Sequence, residues 1–443
     1  MCCVPAVRKI SLASAGLSAV VLLFSLAGVL DAAWAAPGGL ALAVFFAFGL
    51  GAVPSLKGYQ YTAWIVAAIV VGMLYPQKVL YWGDFDLRNP WLILIVVQFV
   101  MFGMGTQMRL EDFNGVIRTP RGVAVGLLCQ FSIMPAMGWL LTRVFDFPLE
   151  IAAGIILIGS CSSGLASNVM AYIAKANLAL SITVTAVATL VAPLLTPLLM
   201  KFYASTLVEL DFLAMMISIV KIVLAPIGAA LLADYLRRAP APKLRLVRWV
   251  AAGCLAWLGY IAGGGWNWLS GVLPEHMLTS VGIFGFFAAA FVFGAAFHAA
   301  RKAWPALQKL MPYLSMFGIV YFTTVTTAAG RDHLLQVGAL LLIASILHNS
   351  AGYLLGYWFS RALGLDRNSA RTMALEVGLQ NGGMASGIAG EMGKLGTLGL
   401  ASAVFSPWMN ISGSILANIW GRNPVHDRER QARSGSISTN EAL

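Results

Sequence analysis

The chain has little charge. Charged residues make up 11% of its 443 positions, and only 18 residues are acidic. That is less than half the charged share of an ordinary soluble domain, which excludes that class. Cysteine is also scarce, with five in all. Cys129, Cys161 and Cys254 lie inside apolar runs and read as small packers. Cys2 and Cys3 sit at an N-terminus expected to be cytoplasmic, where disulfides are rare. His276, His298, His333, His348 and His426 are scattered without metal-ligand spacing. No Gly-rich phosphate loop, nucleophile elbow or Cys-x-x-Cys occurs. The net charge of +11 points to nucleic acid only until the charges are located, because they fall in loops between apolar runs.

What remains is apolar. Hydrophobic residues reach 59% and the mean hydropathy is +0.81. At about 20 residues per crossing, the chain can cross a bilayer many times. Fourteen candidate spans fall near 10–35, 39–56, 61–76, 90–108, 122–142, 150–174, 178–200, 213–236, 247–265, 277–299, 311–329, 335–358, 370–392 and 396–420. With the N-terminus inside, the inner loops hold 22 of the 29 Lys and Arg, the outer loops 6, and Lys221 lies within a span. This bias predicts that both termini are cytoplasmic, and the chain is expected in the plasma (inner) membrane. Ala33-Trp-Ala35-Ala36 resembles a signal cleavage site, but the apolar run before it is long, so a retained helix is expected. The segment 422–443 reads as a polar cytoplasmic tail.

Glu376 is out of place in such a chain. It lies in Met373-Ala-Leu-Glu-Val-Gly-Leu-Gln-Asn-Gly-Gly-Met384, with no Lys or Arg near enough in sequence to pair with it. A carboxylate at bilayer depth is costly without a partner. The Gln-Asn-Gly-Gly that follows belongs to an interrupted helix lining a wet cavity. Small residues alone would be explained by close helix packing, but packing does not need a carboxylate.

The break recurs. Gly138-Trp-Leu-Leu-Thr-Arg143 resembles Gly356-Tyr-Trp-Phe-Ser-Arg361 at a displacement of 218, which also aligns Gly164 with Gly382 and Ser163 with Asn381. One residue further on, Ala166-Ser167 matches Ala385-Ser386. The broken spans are the sixth and the thirteenth. Seven is odd, so the copies run in opposite directions. This predicts an all-α polytopic membrane protein, an inverted-repeat secondary transporter with two crossing discontinuous helices. Unwound backbone and side-chain oxygens suit a small hard cation, with Ser167, Asn168, Ser181, Thr185 and Gln380 as candidates beside Glu376. None is a soft ligand.

Several rarer words then fall in order: Gln130-Phe-Ser-Ile-Met-Pro135, Ala166-Ser-Asn-Val-Met170, Ala179-Leu-Ser-Ile-Thr-Val-Thr185, Pro193-Leu-Leu-Thr-Pro197, Ser218-Ile-Val-Lys221, His348-Asn349, Glu376-Val-Gly-Leu-Gln-Asn381 and Asn410-Ile-Ser-Gly-Ser414. With them the chain resembles the bile acid–sodium symporter family from about Tyr61 to Gly421. The resemblance implies ten helices: a core at about 122–204 and 335–421, and a panel at about 61–108, 213–238 and 311–331. Two extra helices in 1–60 and an inserted pair at about 247–300 bring the total to fourteen. It implies no cofactor, but two Na+ as coupling ions. One would be held by Ser167, Asn168, Ser181, Thr185 and Glu376. The other would be held by Gln130, Glu376, Gln380 and the carbonyls of Val377 and Leu379.

The chain departs from the family pattern at Ser162-Ser163-Gly164-Leu165, where Pro-Gly-Gly-Thr is usual, and at Met409, where a polar residue is common. Leu165, Asn381, Met409 and Asn410 are the candidate substrate contacts, so the ion sites look intact and the cargo site altered. Lys221 is a second anion candidate, with snorkelling as its plainer role. Trp266-Asn-Trp268 reads as an interfacial anchor. The function expected is sodium-coupled symport of bile acids or related organic anions by alternating access. Two other transport modes stay open on the same fold: proton coupling through Glu376, and arsenite-type export using Cys161. An intramembrane enzyme or receptor is remote, since no nucleophile, metal set or second carboxylate at depth accompanies Glu376.

Overall fold

The computed structural model describes residues 3–53, 56 and 59–425, with side chains from Val7 onward. Cys2, Lys57 and His426 lie outside the described residues, as does the tail from position 426. Fourteen helical units follow the order of the fourteen expected spans. Leaving aside the short helices Pro76–Leu80 and Gly115–Arg118, these begin with α1 (Cys3–Leu26), α2 (Ala35–Gly49), α3 (Gln60–Leu74), α4 (Pro90–Gly105), α5 (Pro120–Val144), α6 (Leu149–Ser160), α7 (Leu165–Ile173) and α8 (Leu178–Ala204). Then come α9 (Phe212–Arg238), α10 (Ala241–Val272), α11 (Glu275–Ala303), α12 (Ala306–Ala329), α13 (Arg331–Ala362), α14 (Arg367–Gly378), α15 (Gly382–Glu391) and α16 (Leu400–Arg422). Among the described residues, nine of these are long and apolar enough to cross a membrane alone. The others are α3, α4, α16 and the two interrupted units, α6 with α7 and α14 with α15. The inserted pair begins earlier than the sequence suggested, at Ala241, because Pro242 sits in the first helical turn, where its missing N–H costs nothing.

The helices from α5 to α8 and from α13 to α16 pack around the two interruptions. Beside them lie α3, α4, α9 and α12, with α4 against α15 and α12 against α16. Outside these, α2 packs on α3 and α1 on α2, while α11 covers α9 and α10 rests on α11. No residue in the most apolar stretch of α10 is buried, which suits a helix surrounded by lipid.

The repeat found in the sequence is a repeat of packing. A Cβ on Gly138 would lie 3.0 Å from the Ile155 carbonyl of α6, and one on Gly356 would lie 3.1 Å from the Met373 carbonyl of α14. Each glycine lets a long helix lie directly on the first half of its own broken helix. The copies run oppositely. Glu150, at the start of α6, meets the chain just beyond the end of α15, accepting hydrogen bonds from Lys394 Nζ at 2.6 Å and Thr397 Oγ1 at 2.5 Å. At the other end, Asn177, just after α7, donates its N–H to Thr372 Oγ1 near the start of α14 at 2.9 Å.

Gly352 shows how little room the interruption leaves, since a Cβ there would stand 2.9 Å from the Gly378 Cα. Gly352→Val should overpack α13 against the end of α14 and lower stability by about 1–3 kcal/mol. Thermal unfolding of the purified protein measures this, and an unchanged midpoint would show that the contact can relax freely.

Candidate functional site

Neither interruption is left open. Ser162-Ser-Gly164 and Gln380-Asn-Gly-Gly383 are poor helix formers. Helix α6 ends in an extended Cys161, and α14 ends in an extended Leu379. A short antiparallel bridge between Ser163 and Gln380 then joins the two breaks. Gly164 N–H donates to the Leu379 carbonyl at 3.1 Å, and Asn381 N–H donates to the Ser162 carbonyl at 2.9 Å. Each break supplies the partners that the other has lost. Gly164 must be small here, because a Cβ would lie 3.0 Å from the Gln380 carbonyl.

Amide side chains from the neighbouring helices finish the accounting. Gln130 Nε2 of α5 donates to the Cys161 carbonyl at 3.0 Å, and Asn349 Nδ2 of α13 donates to the Gly378 carbonyl at 2.8 Å. Asn381 caps α15 by accepting from Met384 N–H at 3.0 Å.

Glu376 sits at this crossing, fully buried. Its carboxylate accepts from Ser163 Oγ at 2.6 Å, from Thr185 Oγ1 at 2.9 Å and from Ser181 Oγ. Asn168 Oδ1 lies 2.8 Å from Ser181 Oγ and 3.4 Å from Thr185 Oγ1. Ser167 Oγ is 3.3 Å from Thr185 Oγ1 and donates to the Gly164 carbonyl at 2.7 Å. Ser167, Asn168, Ser181, Thr185 and Glu376 therefore form one cluster. Ion pairs occur elsewhere among the described residues, but none includes Glu376.

A second polar group adjoins it. Gln130 Nε2 donates to Gln380 Oε1 at 2.8 Å, and Gln380 Nε2 donates to the Val377 carbonyl at 2.6 Å. Gln130 Oε1 is buried with no partner. Gln130, Gln380 and the Val377 carbonyl are thus brought together, with Gln380 one turn after Glu376, while the Leu379 carbonyl accepts from Gly164 N–H.

Ser163 was missed as a carboxylate partner by the sequence reading. Its signal was available, since it aligns with Asn381 in the repeat. Asn349 was noticed only as half of a two-residue word. Its role as the counterpart of Gln130 follows from the same displacement, shifted by one residue.

The candidate substrate contacts are less closely gathered. Leu165 opens α7 and is half-buried, while Met409 lies buried in α16. The Met409 carbonyl accepts from the Tyr353 hydroxyl at 3.2 Å. Asn410 Nδ2 turns back to the Ser406 carbonyl of its own helix at 2.8 Å. Asn381 Nδ2 reaches Met104 Sδ of α4 at 3.9 Å. A cavity of about 310 Å³ lies between α4, α9 and α15, lined by residues that include Val97, Ile222, Gly387 and Glu391. None of the four candidates lines it. Lys221 lies in a π-helical segment of α9, Val220–Leu224, with Nζ 5.1 Å from the centre of the Phe286 ring on α11. Cys161 is buried, and no cluster of His, Cys, Asp and Glu able to hold a metal occurs among the described residues. Trp268 is exposed.

Comparison with known proteins meets this geometry from outside. Residues 94–263 match the model of the Sodium Bile acid symporter family. The chain is 30% identical over 392 residues to the Uncharacterized sodium-dependent transporter YocS of Bacillus subtilis (strain 168), covering 88% of this chain and 98% of that one. It is 28% identical to the Probable sodium/metabolite cotransporter BASS1, chloroplastic, of Arabidopsis thaliana, covering 81% and 73%. With the Ileal sodium/bile acid cotransporter of Homo sapiens it shares 27% identity, over 67% of this chain and 68% of that one. Among solved structures, the sodium proton antiporter MjNhaP1 from Methanocaldococcus jannaschii is similar at a TM-score of 0.49 and 14% identity, covering 87% of this chain and 97% of that one.

The Ser163–Glu376 contact can be isolated. Ser163→Ala and Glu376→Gln, singly and together, should give a double-mutant coupling of about 0.5–3 kcal/mol in thermal or chemical unfolding. Strictly additive effects would show that the hydroxyl does not hold the carboxylate.

Proposed function

The chain belongs to the sodium bile acid symporter family, and from that premise we propose that it carries an organic anion across the membrane together with two sodium ions. It is an integral membrane transporter and not an enzyme. The observation that carries the proposal is Glu376, a buried carboxylate held, among the described residues, by neutral hydroxyls at the crossing of two broken helices. A hydroxyl that donates to a carboxylate can turn and offer a lone pair to a cation without backbone movement. One sodium would then be held by Ser167, Asn168, Ser181, Thr185 and Glu376. The second would be held by Gln130, Glu376, Gln380 and the carbonyls of Val377 and Leu379. The buried, unpartnered Gln130 Oε1 supports that second set, because a buried acceptor without a partner costs stability that a cation would return.

Each sodium would bind segments from both broken helices, or from a broken helix and α5. Occupancy would therefore stiffen the crossing and raise affinity for the anion, and the anion would raise affinity for sodium in equal measure. In this reading α5–α8 and α13–α16 move as a core against a panel of α3, α4, α9 and α12, exposing the site to each side in turn. The proposed location is the plasma membrane, and the bias of basic loop residues supports an orientation with both termini in the cytoplasm. The cargo is a bile-acid-like or smaller carboxylate or sulfonate, received near Leu165, Asn381, Met409 and Asn410. Names of the relatives support both sizes: one is a bile acid cotransporter and another a metabolite cotransporter.

Vesicle uptake in sodium and in potassium buffer tests the coupling. Glu376→Gln should abolish sodium-driven uptake while protein still reaches the membrane. Gln130→Ala removes a neutral ligand worth about 1–3 kcal/mol, so it should weaken apparent sodium affinity roughly tenfold and leave some transport. Sodium-driven uptake retained by Glu376→Gln would sink the mechanism, and uptake driven by a proton gradient alone would point to proton coupling.

Cargo is tested separately. Leu165→Thr with Met409→His restores hydrogen-bonding groups, and pairing one ligand group is worth about 1–3 kcal/mol. Calorimetry at saturating sodium should find weak taurocholate binding to the native protein and tighter binding to the double variant. Tight native binding with no gain in the variant would remove these two positions from the cargo site.

A further inference from the structure

Among the described cavities, one lies away from the crossing and has a different chemistry. It has a volume of about 530 Å³ and is lined by Tyr357, Trp358 and Arg361 at the end of α13, Arg367 and Arg371 at the start of α14, and Pro424 beyond α16. Three guanidinium groups thus converge on one space. None of them takes part in an ion pair among the described residues. Two are held in position by neutral partners. Arg361 Nη1 donates to the Leu365 carbonyl at 2.7 Å. Arg371 Nη1 donates to the Asn423 carbonyl at 2.9 Å, and its guanidinium lies 5.3 Å from the centre of the Trp420 ring. Arg367 is exposed.

These contacts fix the arginines without neutralising them. The cavity also has an apolar side. Trp358 is 61% exposed on the outer surface of a membrane helix, which suits a ring at the level of lipid headgroups. Planar guanidinium forks match phosphoryl oxygens two at a time. Basic pockets between membrane helices at the cytoplasmic level recognise phosphorylated headgroups in this way. The charge bias of the loops puts this end of α13 and α14 on the cytoplasmic side.

We propose that this cavity binds a phosphoryl anion, supplied either by an anionic phospholipid headgroup or by free phosphate. An anion there would tie the start of α14 to the ends of α13 and α16. Because α14 also carries Glu376, the site would steady the helix that bears the buried carboxylate. The proposal does not depend on which cation Glu376 holds, so it is tested in potassium buffer without sodium.

The full chain in neutral detergent is titrated with short-chain phosphatidylglycerol, short-chain phosphatidylcholine or inorganic phosphate, and the thermal midpoint is followed. Phosphatidylglycerol should raise the midpoint more than phosphatidylcholine does. Arg367→Gln should raise the half-saturating concentration of phosphatidylglycerol about fivefold, the effect of one basic group near an anionic headgroup. Arg367→Lys, which keeps the charge but loses the fork, should fall between the native protein and Arg367→Gln. Arg361→Gln, on the other helix, should weaken the same response, which keeps the test decisive if one variant folds poorly. Stabilisation by phosphatidylglycerol alone identifies a headgroup site. Equal stabilisation by phosphate, lost in the same variants, identifies a free-anion site. Equal effects of the two lipids, or a phosphatidylglycerol response unchanged in both glutamine variants, would overturn the proposal.

Discussion

Two interruptions of helical backbone at bilayer depth can exist here only because each completes the other. A chain that unwinds inside a membrane strands N–H and C=O groups where no water can satisfy them. At the crossing, the Gly164 N–H and the Leu379 carbonyl form one bond, and the Asn381 N–H and the Ser162 carbonyl form another. Gln130 and Asn349, from the long helices before each break, take the carbonyls of Cys161 and Gly378. The packing of α5 and α13, and the glycines that let them approach, serve this arrangement.

The crossing concentrates polarity without positive charge. Four half-helices end or begin there, and their dipoles and freed oxygens point into a small buried volume. Glu376 adds a buried carboxyl group, and the groups that meet it are neutral hydroxyls. An isolated ion pair would fill such a site permanently. On the proposed function, hydroxyls and amides leave it able to accept a mobile cation and to release it.

The periphery follows a plainer physics. Helices α1, α2, α10 and α11 attach to the outside of the bundle and add no group to the crossing. Lys221 illustrates the difference between charge and site. It lies in the membrane, but its ammonium rests over Phe286 of α11 and not beside Glu376. Arg361 and Arg371, at the cavity by the end of α13, are held by carbonyls and an aromatic ring, with no ion pair among the described residues.

Much of this was legible in the residues alone. Hydropathy determined the membrane class and the order of fourteen helical units, because burial in lipid constrains composition directly. The repeat of 218 residues determined the inverted architecture and located both breaks, because runs of Ser, Gly and Asn cannot sustain a helix. Glu376 marked the candidate site through its cost. The tertiary structure alone decided which groups meet at that site. Ser163 turns toward the carboxylate only because the first break is pulled across the second, and a bridge between residues more than two hundred positions apart has no local signal. The same holds for Asn349, whose partner is a backbone carbonyl that any residue would present. Leu165, Met409 and Asn410 were chosen by their positions in the chain, but where side chains converge depends on how helices cross, and here each is engaged with its own surroundings.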